Sequence, residues 1–223
     1  MRLKPRYLIL SLTTIALLAL GLIVGIGCWR QSPSSHQTMQ VVVDTTQLRE
    51  GDLLLRMGYG WESRMVAELS GVEYSHIALA HRGPTGWMVV HAVPGEMEEG
   101  QQYEYLKAEP LDRYYAVDRA TSGAIVRVDC SDTCARGAVD FALDKVYRKF
   151  QFDHKYSLSD STRYYCTELI YRAYLSQGID FFTAFTESAA TPLAKDPWLY
   201  PSEFIQHEKT LWCKVLDKRP AKD

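Results

Sequence analysis

The stretch YSHIALAHRGPTGWMVVHAV, residues 74–93, decides how the rest of the chain is read. Two apolar runs flank RGPTG, whose proline and glycines mark a tight connection, so the pair reads as a β-hairpin. Side chains alternate along a strand. His76, Ala78 and Ala80 therefore share one face, and Ile77, Leu79 and His81 the other. His76 and His91 each sit inside an apolar strand, where an imidazole needs a polar partner to be tolerated. Neighbouring strands of a hairpin can supply that partner, one ring bonding the other. Two satisfied core histidines are the plain alternative.

Upstream, LREGDLLLR carries a Glu50-Gly51-Asp52 turn into a short apolar strand, and WESRMVAELSG has Trp61, Met65 and Leu69 at helical spacing before Gly71. Downstream, YEYLKAEPLDRYY is mixed and shows no clear period. GAIVRVDC reads as a strand. Ser131 or Asp132 can cap the helix TCARGAVDFALDKVY. KFQFDHKYSLSDST is a polar loop, CTELIYRAYLSQG a helix stopped at Gly178, and LYPSEFIQHEKTLWCKVLD a short capped helix with a closing strand. Strands cluster early and helices late, without βαβ alternation, which indicates an α+β fold.

Cys166 opens its helix, with Leu169, Ile170, Ala173 and Tyr174 on the same face. Free N–H groups and the helix dipole at that position favour an anion and lower a thiol's pKa. The same N–H groups could hold an oxyanion. A cysteine nucleophile needs a base, and His is the usual one. His36 lies in a linker and His207 in a charged late segment. His81 faces away from His76, and His154 is in the polar loop. His76 and His91 remain.

The first 28 residues differ from the rest. Arg2, Lys4 and Arg6 precede an uncharged apolar run ending at Cys28, the order of an export signal. Without them the chain has 22 of its 25 Lys+Arg against 27 Asp+Glu, about −5, so no basic footprint for nucleic acid exists. VGIGC resembles the lipobox of bacterial lipoproteins, in which Cys28 is lipidated. An uncleaved anchor is the competing reading, since the run is about the 20 residues a bilayer needs. The expected organisation is 1–28 leader or anchor, 29–45 linker, 46–218 catalytic domain and 219–223 tail. Both leader readings put the domain outside the cytoplasm, tethered to a membrane, in the periplasm or at the cell surface of a bacterium. Cys130 and Cys134 could pair with each other, or one of them with Cys213. A single C-x-x-x-C lacks the second ligand pair of structural zinc, so no metal is expected.

Together, GDLLLR, YSHIALAH, GWMVVHAV and YYCTELIYRAY resemble the strand and helix motifs of NlpC-type papain-like cysteine peptidases, with the cysteine last instead of first. That order is similar to the permuted YiiX/YaeF-like amidases, over about Leu48 to Asp217. The resemblance implies a circularly permuted papain-like fold, an antiparallel sheet carrying the histidines packed on a helix carrying the cysteine. It implies Cys166 as nucleophile, His76 as general base and acid, and His91 at the orienting third position, where many permuted members have Glu. Asp52 and Glu168 match motif positions and read as scaffold, Glu168 as a first-turn carboxylate suited to the dipole. The implied activity is hydrolysis of an amide, in cell-wall peptides or related small amides, with no cofactor. Acyl transfer or thioester chemistry on lipid or N-acyl substrates, known in the lecithin retinol acyltransferase-like branch, and a non-catalytic binding module of the same fold are the alternatives. A narrow polar cleft favours peptide, and a long apolar one favours lipid. The loops 150–163 and 181–201 are candidates for the specificity pocket.

Overall fold

The computed structural model describes residues 39–181 and 198–221. In chain order the elements are β1 (Met39–Val42), β2 (Leu53–Met57), α1 (Trp61–Ser70), β3 (His76–Gly83), β4 (Gly86–His91), β5 (Lys107–Pro110), α2 (Leu111–Tyr114), β6 (Ser122–Val128) and α3 (Asp132–Tyr147). There follow β7 (Gln151–Phe152), β8 (Arg163–Tyr164), α4 (Cys166–Leu175), α5 (Pro201–Gln206), β9 (Thr210–Val215) and β10 (Asp217–Pro220). The fold is α+β, as the order of strands and helices indicates.

Six strands form one antiparallel sheet in the order β5-β4-β3-β2-β6-β9. The hairpin is as expected: Gly83 pairs with Gly86, leaving Pro84 and Thr85 as a two-residue turn. Alternation gives the sheet two apolar faces. Leu53, Leu55, Ile77, Leu79, Val90 and Val126 pack under residues of α3 and α4. Leu54, Ala78, Ala80, Val89 and Ile125 pack against Tyr114, Tyr115 and Leu216. A sheet apolar on both faces needs cover on both, and the helix pair supplies only one layer. The second is supplied by the segment that showed no period: Tyr114 and Tyr115 are fully buried, and their hydroxyls donate to the carbonyls of Leu54 and Leu55, each at 2.9 Å.

The helix ends follow local chemistry. Ser131 caps α3, its hydroxyl accepting the Cys134 N–H at 3.2 Å. Gly71 ends α1 in the left-handed region, φ 67°. Gly51, φ 77°, makes the turn into β2.

Two short strands lie at the edges of the expected catalytic domain. β1 lies inside the stretch read as linker, and β10 reaches into the tail. They pair antiparallel, Met39 opposite Pro220. The linker reading rested on polar composition up to Val41; Val41 is buried against the second face, and the apolar end of that stretch forms the strand. Residues 1–28, including Cys28, lie outside the described residues. Among the described residues no helix is long and apolar enough to cross a membrane. Cys130, Cys134, Cys166 and Cys213 are all free thiols. The Cys130 thiol bonds that of Cys134, and burial pushes its pKa up to about 12, whereas Cys213 is exposed on β9.

Candidate active site

His76 is the first residue of β3 and His91 the last of β4. The β3–β4 register, continued one step from the Leu79–Val90 pair, sets His91 opposite Ala78, on the face His76 shares. The two rings bond as the hairpin reading anticipates: His76 Nε2 is 2.9 Å from His91 Nδ1. Both pack on Tyr114, with ring centroids 5.9 and 5.3 Å away. His91 is wholly buried. Across the strand pair, Arg56 of β2 is the direct partner of His76. Burial first, and then the Arg56 charge, holds both imidazoles well below the ordinary His value, so both are neutral at pH 7.

Cys166 begins α4, which packs on β3. Its sulfur meets the backbone N–H groups of Ile77, Thr167 and Cys166 itself, and the Thr167 hydroxyl. These favour the thiolate, as the helix-start argument requires. Burial outweighs them and pushes the thiol up from its ordinary value, so the expected lowering does not occur. The resting pair is therefore a neutral thiol with a neutral imidazole. The Ile77 contact anchors the sulfur beside the residue that follows His76, and Cys166 and His76 line one cleft of about 720 Å³.

Behind the histidines lies a charged cluster that sequence reasoning missed. His91 Nε2 is 3.2 Å from Glu109 Oε1. Glu109 is held by Arg119 at 2.9 Å and Lys107 at 3.4 Å. Glu96 pairs with Arg56, Arg119 and Lys107. Lys107 and Glu109 alternate with Ala108 along β5, so both point inward toward the His91 side of β4. The period-2 pattern of Lys107-Ala108-Glu109 was the available signal. Charged residues at alternate positions ordinarily mark a solvent face, which masked it.

His81 pairs with Glu50 at 2.7 Å and His154 with Glu104 at 2.7 Å, and neither histidine lines the cleft. Asp52 is scaffold: it accepts the Arg49 N–H at 2.8 Å and binds Arg127 through both oxygens. Glu168 is scaffold too, but buried, and its carboxyl is pushed up to about 8 by burial. Of the two candidate pocket loops, 150–163 contributes Phe152 and Tyr156 to the cleft, and Trp198, Leu199, Tyr200 and Pro201 line it from the other. Residues 182–197 lie outside the described residues.

A family model described as permuted papain-like amidase enzyme, YaeF/YiiX, C92 family, matches residues 47–211. Among solved structures, the chain is similar to yiiX from Escherichia coli O157:H7, described as a metalloprotein, with 16% identity and a TM-score of 0.58, over 78% of this chain and 99% of that one. No curated protein matches by sequence. A metal is thus worth testing against the residues present. One donor atom each from His91, Glu96 and Glu109 lie within 4.8 Å of one another. Arg56, Lys107 and Arg119 already occupy those carboxylates. A divalent cation there would face three fixed positive charges, so the donor set does not fit a metal.

Proposed function

We propose that this chain, which belongs to the permuted papain-like amidase family of the YaeF/YiiX type, is a cysteine hydrolase of amides that uses Cys166 as nucleophile, His76 as general base and acid, and His91 to hold the His76 ring. The observation that carries the reading is the bonded His76–His91 pair opening onto the cleft that Cys166 lines. From a neutral resting pair, His76 takes the thiol proton as the sulfur attacks the carbonyl carbon. The imidazolium then gives that proton to the leaving nitrogen as the C–N bond breaks, leaving a thioester. A water molecule loses a proton to His76, its oxygen attacks the thioester, and the released thiol recovers the proton. N–H groups at the start of α4 favour the oxyanion. The export reading of residues 1–28 makes the proposed site of action extracytoplasmic, with the N-terminus at a membrane.

The cleft lining supports an acyl amide over a cell-wall peptide. Trp61, Met65 and Leu69 of α1 and Met97, Tyr156 and Trp198 form much of its wall. Trp61 and Leu69 keep 66% and 58% of their surface exposed. Every described arginine of the cleft already faces a carboxylate: Arg56 and Arg119 face Glu96, and Arg113 faces Asp118. None of these is left to receive a peptide carboxylate, while an apolar chain would gain about 0.8 kcal/mol per methylene, roughly fourfold in kcat/KM.

The test is turnover of N-acyl amino acids of rising chain length beside a muropeptide panel. The wild-type rate is expected to rise with chain length, and Cys166→Ala and His76→Ala to abolish it. Full turnover by both variants would end the assignment of the site. A flat response to chain length with good muropeptide hydrolysis would move the substrate to peptides.

A further inference from the structure

The face of the sheet behind His91 contains a buried carboxylate that the reaction just described does not use. Glu109 Oε1 stands 3.2 Å from His91 Nε2, within ion-pair reach but outside hydrogen-bond geometry, and His91 Nδ1 bonds His76 Nε2 at 2.9 Å. Three groups from three strands therefore lie in a line that ends at the cleft. We propose that Glu109 is a positioning residue of the site, fixing the tautomer of His91 and, through it, the tautomer of His76.

A carboxylate beside a ring nitrogen favours an N–H over a lone pair there, and Glu109 also pairs with Arg119 and Lys107. His91 then carries its proton on Nε2, the side of Glu109. The opposite tautomer would set a nitrogen lone pair against carboxylate oxygen, a repulsive contact on a ring with no exposure to water. A doubly protonated His91 would add a cation beside Arg56, Lys107 and Arg119, and burial opposes it as well. With its proton on Nε2, His91 accepts at Nδ1. His76 Nε2 must be the donor there, and the lone pair of His76 is left on Nδ1. That is the nitrogen not taken up by His91, and it is the one available to the thiol.

The groups facing the line come from every neighbouring element: Arg56 from β2, Lys107 from β5, Glu96 and Arg119 from the loops, and Tyr114 from α2. Glu96 pairs with Arg56, Arg119 and Lys107, and the charges of those cations still oppose protonation of the imidazoles. A Glu directly at the third position would orient His76 by charge. Here a neutral ring occupies that position, and the charge sits one residue further back.

This inference rests on the amidase reading only for its kinetic arm. The first measurement is the two-bond ¹H–¹⁵N imidazole spectrum of the full chain, with His76 and His91 assigned by elimination against single His36, His81, His154 and His207 variants. Both rings are expected as the Nε2–H tautomer. His91 protonated on Nδ1 overturns the proposal whatever the enzyme does. The second is Glu109→Gln, whose amide can donate to His91 Nε2 and so permits the other tautomer. Expected are a shift of His91 toward Nδ1–H and a fall in kcat of about tenfold or more, with KM within about twofold. A folded Glu109→Gln protein with unchanged tautomers and kcat also overturns the proposal. If that variant does not fold, the wild-type spectrum decides alone. Nε2–H tautomers together with full turnover by Cys166→Ala would sink the amidase reading and leave the line standing.

Discussion

Glu168→Gln isolates the cost of a buried carboxyl two residues from the nucleophile. Glu168 has no exposed surface, and one oxygen accepts from Arg172 Nε and Nη2, both at 3.3 Å. The other oxygen has no hydrogen-bond partner among the described residues. Burial raises its pKa from 4.5 to about 8, and Arg172 offsets part of that. In the unfolded chain the group ionises near 4.5, so between there and about 8 the folded state holds one proton more. By linkage, unfolding free energy then falls as pH rises, by at most about 1.4 kcal/mol per pH unit. Summed across the window the ceiling is about 5 kcal/mol, and residual structure in the unfolded chain lowers it. Glutamine has the same shape, can still accept from Arg172 and does not titrate. The two proteins should have equal stability near pH 4.5, and the Glu168→Gln protein should lead by about 2 to 5 kcal/mol at pH 8. Urea unfolding followed by tryptophan fluorescence at several pH values measures the difference, in which other titrating groups cancel. A difference that stays constant or shrinks from pH 5 to 8 refutes the reasoning.

Three further outcomes can be checked directly. In a protein with Cys130, Cys134 and Cys213 changed to Ser, iodoacetamide labelling of Cys166 should climb about tenfold per pH unit from pH 7 to 9, because burial keeps the thiol protonated. A plateau between pH 6 and 8 would indicate a preformed thiolate–imidazolium pair instead. Asp52→Asn, which breaks a 2.6 Å pair with Arg127 at a position 2% exposed, should cost about 2 to 4 kcal/mol in denaturant unfolding. Gly51→Ala places a methyl at φ 77°, 2.9 Å from the Ala135 Cβ and the Tyr174 hydroxyl. It should lose at least about 1 to 2 kcal/mol, and a thermal midpoint equal to wild type would contradict the packing described here.

The hairpin was legible because Pro84 and Gly86 interrupt two apolar runs, and strand alternation then puts His76 and His91 on one face. The start of α4 was legible from the switch to helical spacing at Cys166. The sign of the thiol's shift was not, because the dipole is a local property and burial a property of the assembled sheet. The same holds for Glu168, whose place in the first turn suits an anion until α4 is packed down. The Lys107–Tyr114 segment was unreadable because its strand is four residues long and turns two charges inward. Their partners Glu96 and Arg119 lie in loops on either side, 11 and 10 residues away, at spacings that no strand or helix period marks. β1 was missed because it is four residues long and its partner is about 180 residues away.

The pairing of β1 with β10 has a consequence for the order of motifs. Met39 and Pro220 are register partners, so the two ends of the domain lie one strand spacing apart, about 5 Å. A few residues would splice them. New ends opened in the polar loop between β7 and β8 would then start a chain that reads the Cys166 helix first and the His76–His91 hairpin afterwards. The same sheet, cleft and contacts would be kept. Cysteine-first and cysteine-last layouts thus differ by one cut and one join, and in this protein the join is already held shut by four residue pairs.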